Sequence, residues 1–146
     1  MDQYGHNVLY MLCGSDKWLP AHEIAATFLI SHGGAELVNA ENYPTLRTDF
    51  SPLAAAAKQS NYRAMQLLFD SGLVDVHQTS YGGNTALHEA ATTGDEDTVL
   101  MILNAGGRFT ANAYGRTPVD AANDSSKVPR HFAPWLRQWA SLQKLP

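Results

Sequence analysis

The side chains that could perform chemistry in this 146-residue chain are few, and their spacing forms no recognisable catalytic or metal-binding set. General acid–base catalysis by His88 would need a partner group at hydrogen-bond distance, and no motif supplies one. A cysteine-rich zinc site is excluded because Cys13 is the single cysteine. The remaining histidines are scattered, without an i, i+4 pair flanking a glutamate: His6, His22, His32, His77 and His131. These patterns predict no metal, no cofactor and no enzymatic activity.

Cys13, an acidic triplet and three glycine pairs each have a structural interpretation beside a functional one. A thiol is reactive in an exposed, electropositive site, whereas Cys13 sits in an apolar stretch and is predicted to be a small buried side chain. The acids at residues 95–97 precede an apolar segment, where each would stabilise a helix N-terminus by about 0.3–1 kcal/mol. The alternative is that these three acids form an electrostatic patch for a basic partner. The glycine pairs lack the spacing of a phosphate-binding loop: Gly33-Gly34, Gly82-Gly83 and Gly106-Gly107.

Several of these residues belong to a segment that recurs along the chain. Residues 84–106 predict a capped short helix, a turn at Gly94, a second apolar helix and a glycine stop. The opening of this segment, residues 85–88, recurs at residues 51–53, 34 residues earlier, and at residues 117–119, 32 residues later. One such unit buries too little apolar surface to be stable alone, so the copies are expected to stack.

A period near 33 with an opening like Thr-Pro-Leu-His resembles the ankyrin repeat, and the resemblance covers nearly the whole chain. A fourth copy at residues 2–10 matches the family phrase at its Asp, Gly and Leu positions. The resemblance implies an all-α ankyrin-repeat solenoid of stacked helix pairs with β-turn fingers and a C-terminal capping helix. We expect a single domain at residues 1–146, with repeats at about 2–42, 43–79, 80–111 and 112–146.

Particular helices and core residues follow from this alignment. In repeat one we expect helices at Val8–Cys13 and from about Pro20 to Gly33-Gly34. That repeat is 11 residues longer than a standard one, which predicts a long, protruding loop before Ser51. The continuous core is predicted to contain Leu53, Leu68, Leu87, Leu103 and Val119. One side of the capping helix is predicted to carry Phe132, Trp135, Trp139 and Leu142.

Composition limits the class of partner and the compartment. The formal net charge of −4 argues against a nucleic-acid surface, although the residues after Asp124 are basic. The N-terminal residues do not form a secretory signal, and no apolar run reaches the roughly 20 residues of a membrane span. A single cysteine fits a reducing compartment. We therefore expect a cytoplasmic protein that is monomeric when free and binds neither membrane nor nucleic acid.

The resemblance also implies a partner-binding surface, because finger tips and inner helices form a concave face in ankyrin proteins. Each finger has an aromatic residue at or beside its tip, and tyrosine and arginine are enriched at the energetic centres of interfaces. The alternative is that tyrosine is simply common in turns. Asn123 and Asp124 should face the same side. The predicted binding residues are Tyr4, His6, Arg47, Phe50, Lys58, Gln59, Tyr81, Asn84, Thr92, Thr93, Tyr114 and Arg116. In the family, the histidine equivalent to His88 bonds backbone between repeats.

Three classes of function remain open at this level. The first is a non-catalytic module that binds another protein through the concave face. One form of it is an immunity protein or inhibitor that neutralises a cognate toxin or effector enzyme. The second is an enzyme, which is disfavoured because the polar residues are spread by repeat phase and do not converge. The third is a structural or assembly component, which would self-associate.

Overall fold

The computed structural model describes residues 8–39, 51–80 and 82–144. Five of the predicted binding residues lie outside these ranges and remain predictions: Tyr4, His6, Arg47, Phe50 and Tyr81. The greater part of the predicted protruding loop, residues 40–50, also lies outside them.

The described part of the chain is all helical, as predicted, with helices arranged in consecutive pairs. The helices are α1 (Val8–Cys13), α2 (Pro20–Val38), α3 (Pro52–Lys58), α4 (Tyr62–Asp70), α5 (Ala86–Ala91), α6 (Glu96–Asn104), α7 (Pro118–Asp124) and α8 (Phe132–Gln143). The first helix of each pair packs on the first helix of the next pair, so α1, α3, α5 and α7 form an inner row. Each second helix packs on its own partner and belongs to an outer row.

Side-chain caps set where four of these helices begin. In each case an oxygen of the residue before the helix accepts a hydrogen bond from a backbone N–H of the first turn, which satisfies a group that the helix leaves unpaired. For α6 the cap is Asp95, with Glu96 and Asp97 in the first turn, so the acidic triplet lies at a helix N-terminus as predicted. The other three caps are Ser51, Asn61 and Thr117.

Small side chains on the inner row let the helices approach closely. Ala56, Ala57, Ala90 and Ala91 have no exposed surface. The large residues of the core then interlock across the repeats, and four of the five predicted positions are buried: Leu53, Leu68, Leu87 and Val119. The prediction for Leu103 is wrong, because α6 turns Val99 and Ile102 toward the core and leaves Leu103 only partly buried.

The first helical stretch of α2 ends at Gly33-Gly34, as predicted, because the backbone of Gly34 is non-helical. Gly34 adopts a positive φ of 60°, which kinks the chain, and a further helical turn runs to Val38. Two interactions explain why the helical path resumes. Val38 is fully buried, and the amide of Asn39 donates to Leu73 O at 2.9 Å while its oxygen accepts from Asp75 N at 2.7 Å. The end of α2 is thereby fixed to repeat two.

The aromatic residues predicted on one side of the capping helix α8 contact one another: Phe132 stacks on Trp135, and Trp135 meets Trp139 edge-on. Phe132 and Leu136 are fully buried, and Trp135 and Trp139 are partly exposed. Leu142, predicted on the same side, has 57% of its surface exposed. The buried residues of α8 are Phe132, Ala133 and Leu136, whose i, i+1, i+4 spacing forms one helical face.

The Cys13 thiol is buried in the core, as predicted, with 1% of its surface exposed. Burial raises its pKa to about 12, because the thiolate would lose its hydration. We expect the folded chain to resist an aromatic disulfide reagent at neutral pH and to react at the rate of a free thiol in denaturing urea. Stoichiometric labelling of the folded chain within minutes would contradict this burial.

Within the described residues no helix has the length and apolar character needed to cross a membrane.

Candidate functional site

The C-terminal ends of three inner helices open onto one cavity of about 540 Å³, here called the helix-end groove. Lys58 ends α3, Thr92 follows α5 and Asp124 ends α7, so three successive repeats each contribute to it. The groove is lined by Lys58, Gln59, Ser60, Thr92, Thr93, Asp124, Ser125, Ser126 and Lys127. The fold therefore brings four predicted binding residues together: Lys58, Gln59, Thr92 and Thr93.

The hydroxyl groups of the groove are oriented by the end of α5 and the following loop. Thr92 Oγ1 donates to Glu89 O at 2.7 Å, and Thr93 Oγ1 donates to Ala90 O at 2.7 Å. Ser125 Oγ donates to Thr92 O at 3.0 Å, which ties repeat four to repeat three. Because these hydrogens are used on backbone carbonyls, the hydroxyl oxygens keep only acceptor capacity toward a ligand.

The predicted finger residues Asn84, Tyr114 and Arg116 do not line the groove. Asn112 organises them: its amide donates to Asn84 Oδ1 at 2.8 Å, and its oxygen accepts from the backbone N–H groups of Tyr114 and Arg116 at 2.9 and 3.0 Å. Tyr114 is 78% exposed, as predicted for a finger tip. Whether the four finger aromatics share one side stays a prediction, because the other three are outside the described ranges.

Two charged pairs connect the fingers with the groove. Arg116 forms an ion pair with Asp124 of the groove wall. Behind the wall, the buried Glu89 accepts from the Asn84 amide at 3.5 Å and interacts electrostatically with Lys58. Burial raises the pKa of Glu89, while the Lys58 charge and the Asn84 amide oppose that rise. Finger and groove residues therefore belong to one connected polar surface.

His88 has the structural role that the family resemblance implied. Its Nδ1 accepts the backbone N–H of Thr85 at 3.1 Å, so the ring proton lies on Nε2, which donates to Arg116 O of the next repeat at 2.9 Å. Burial lowers its pKa, although the bond to Arg116 O and the charge of Asp120 act in the opposite direction. The bond accepted by Nδ1 requires the neutral ring, and both ring nitrogens are occupied by backbone groups. The histidine therefore joins repeats and is not available as a proton donor or acceptor for a substrate.

The shifted pKa values of His88 and Glu89 predict opposite effects of acid on stability. The pKa of folded His88 lies below the unfolded value, so the unfolded chain takes up the proton first and stability falls as pH drops through about 6.5. The pKa of Glu89 is raised, so the folded chain takes up that proton first and gains stability on acidification. Urea unfolding at about pH 8 and about pH 4.5 should show a larger acid loss for Glu89→Gln than for the wild type. Equal losses would contradict the assigned shifts.

Four lining residues were not predicted: Ser60, Ser125, Ser126 and Lys127. Ser60 occupies the position of Gly94, 34 residues earlier, and has a φ of 51°, a left-handed conformation that a serine rarely adopts. The alignment of Ser60 with Gly94 could have shown that residue 60 has a side chain where another repeat has a turn glycine. Residues 125–127 follow α7 as residues 59–61 follow α3, but the prolines at 129 and 134 obscured the repeat phase.

Comparison with known proteins gives one family and two relatives. A family model described as "Ankyrin repeats (3 copies)" matches residues 1–113. The chain is 45% identical over 69 residues to the tyrosine-protein kinase HTK16 of Hydra vulgaris, covering 46% of this chain and 9% of the kinase. It is 28% identical over 124 residues to the transient receptor potential cation channel subfamily A member 1 of Homo sapiens, covering 84% of this chain and 10% of the channel. The chain thus spans about a tenth of the length of these relatives.

Proposed function

Because the chain belongs to the ankyrin-repeat family, we propose that it binds another protein through the helix-end groove and the adjoining finger residues, without catalysing a reaction. Ankyrin repeats generally mediate binding to other proteins. The observation that carries the proposal for this chain is the groove itself, which joins side chains of three successive repeats in one cavity of about 540 Å³.

The hydrogen bonds of the groove hydroxyls favour a binding function over a catalytic one. The hydroxyls of Thr92, Thr93 and Ser125, which would be the candidate nucleophiles, donate their hydrogens to backbone carbonyls. None of these bonds places a general base next to a hydroxyl, as nucleophilic activation requires. The ankyrin-repeat family is also generally non-catalytic. The groove therefore offers oriented hydroxyl oxygens as hydrogen-bond acceptors, together with charged side chains, which suits recognition of a partner.

The proposal extends to a cytoplasmic location and a free monomer. Cys13 is a buried free thiol, and free thiols are typical of proteins in reducing compartments. Neutralisation of a toxin or effector enzyme would be one form of partner binding. The two relatives are named as a kinase and a channel, which adds no support for that form, so the proposal stops at binding of a partner protein.

A matched pair of glutamine substitutions tests the location of the binding surface. Gln59 lies exposed in the groove, and Gln66 lies exposed on the outer helix α4. Once a partner has been captured from the source cells and purified, Gln59→Trp should weaken its binding at least tenfold, because the indole fills the groove. Gln66→Trp should bind as the wild type does. Equal affinities of both variants and the wild type, measured by calorimetry, would place the interface elsewhere.

A further inference from the structure

We propose that the partner segment bound in the helix-end groove continues past Ser60 to an apolar pocket at the start of α2, where it inserts one large apolar side chain. The apolar pocket has a volume of about 510 Å³ and is lined by Trp18, Pro20, Glu23, Ile24 and Arg63. This inference rests on the proposed function and adds the position and chemistry of an anchor residue in the partner.

A smaller cavity of about 210 Å³, here called the connecting cavity, joins the apolar pocket to the helix-end groove. It lies between the loop from α1 to α2 and the loop from α3 to α4. Gln59 and Ser60 line both the groove and the connecting cavity, and Trp18 and Arg63 line both the connecting cavity and the apolar pocket. Because neighbouring cavities share lining residues, one bound segment can pass from the groove to the apolar pocket along the protein surface.

The start of α2 exposes apolar surface that the described residues leave uncovered. Ile24 is 73% exposed, and Phe28, one helical turn further on the same face, is 60% exposed. The rings of Trp18 and Pro20 belong to the same pocket as Ile24. Single exposed hydrophobic residues are normal on a protein surface, whereas several that line one concave site indicate a binding site.

The charged groups of the pocket wall are paired with each other, which favours an uncharged occupant. The Arg63 guanidinium donates to Glu23 Oε1 at 2.6 Å. This hydrogen bond lowers the pKa of Glu23, so the carboxylate is ionised at neutral pH and balances the arginine. A charged side chain of the partner would have to compete with this pair, whereas a leucine, isoleucine, methionine or phenylalanine side chain would contact Trp18 and Ile24 without disturbing it.

The size of the apolar pocket indicates one anchor side chain within a larger interface. Its lining contains five residues, whereas a standard protein–protein interface uses about 20–30 residues on each side. The pocket alone is therefore too small to hold a second copy of this chain. Its continuity with the groove lets a single partner segment account for both sites, with the buried apolar side chain as an energetic centre.

The route between the two sites indicates how far the anchor lies from the part of the segment that contacts Gln59. Arg63 follows Gln59 by about one helical turn, or about 5 Å, and its helix α4 packs on α2, at about 8–10 Å between axes. An extended chain rises about 3.3 Å per residue, so the anchor should lie about four or five residues from the contact with Gln59. The segment touches α4 at the side chain of Arg63 and leaves the backbone hydrogen bonds of that helix in place.

Substitution of Ile24 in the full chain, with the captured and purified partner, tests the pocket. Ile24→Ser should weaken binding at least tenfold, as measured by calorimetry, and Ile24→Leu should retain it because leucine keeps the apolar volume. Since Ile24 is largely exposed, the serine variant should keep its fold, which urea unfolding checks. Leu142→Ser is the matched control, because it truncates another exposed apolar side chain outside the three cavities and should bind as the wild type does.

A synthetic peptide tests whether one segment reaches both sites. The peptide is the stretch of the partner that the wild-type chain protects from hydrogen–deuterium exchange. It should bind, be weakened by Gln59→Trp, and contain an apolar residue whose replacement by serine costs as much affinity as Ile24→Ser. Combining that replacement with Ile24→Ser should cost little more than either change alone, because both remove the same contact.

Affinity of Ile24→Ser equal to that of the wild type, with continued loss in Gln59→Trp, would reject the anchor and leave the proposed function intact. Additive losses for every apolar residue of the peptide would also reject the anchor. Unaffected partner binding in Gln59→Trp would instead reject the groove as the partner surface. Self-association of the free chain that Ile24→Ser abolishes, or similarly sensitive binding to phosphatidylcholine vesicles, would assign the pocket to a second copy or to a lipid surface and would overturn the inference.

Discussion

Replacing Leu87 by alanine is expected to lower the free energy of unfolding by about 2–5 kcal/mol, the range found for buried leucines. Leu87 has 1% of its surface exposed and lies on α5, which packs between α3 and α7 of the inner row. Truncation would leave a cavity at the junction of three repeats, and the short alanine side chains of α3 and α5 cannot fill it.

Urea unfolding followed by circular dichroism measures this loss, with coincident fluorescence as the test for a single transition. Leu142→Ala is the matched control, because Leu142 is 57% exposed and its truncation should change stability by no more than about 0.5 kcal/mol. A loss below about 1 kcal/mol for Leu87→Ala would mean that α5 is not at the centre of the stack.

Phe132→Ala is expected to cost about 3–5 kcal/mol, because a fully buried aromatic ring is removed. Phe132 begins α8 and stacks on Trp135 with ring centroids 5.5 Å apart. Helix α8 packs on α7 and buries Phe132, Ala133 and Leu136 against the core. Loss of its anchor should therefore expose the core around α7.

Tryptophan fluorescence should report this change directly, since Trp135 and Trp139 lie on the same helix. The emission of Phe132→Ala should shift to the red and its urea midpoint should fall. Trp139→Phe provides a control that keeps an aromatic side chain at the partly exposed position. If Phe132→Ala unfolds at the wild-type urea concentration, α8 is an appendage and not a cap.

Most of the fold could be predicted from the repeat period. The turn at Gly94 and the apolar openings at Leu53 and Leu87 are local signals, and each is found where it was expected. The features that were not predicted depend on long-range contacts. The further helical turn after Gly34 is fixed by the bonds of Asn39 to repeat two, and the rotation of α6 is set by its packing on α5.

The candidate site was only partly predictable for a similar reason. Repeat phase identifies Lys58, Gln59, Thr92 and Thr93 as equivalent inner-helix positions, and the structure brings them into one groove. Lys127 follows α7 on a path that lacks the standard second helix, so the repeat pattern does not indicate where it points. The pairing of Arg116 with Asp124 likewise depends on how closely the finger approaches the inner helix.

Hydrogen–deuterium exchange on the complex with a captured partner tests the central claim most directly, namely that the partner occupies the helix-end groove. Binding should slow exchange in peptides covering residues 58–60, 92–94 and 124–127, and leave the outer helices α4 and α6 unchanged. Protection confined to α4 and α6, with no change in the three groove segments, would contradict the claim.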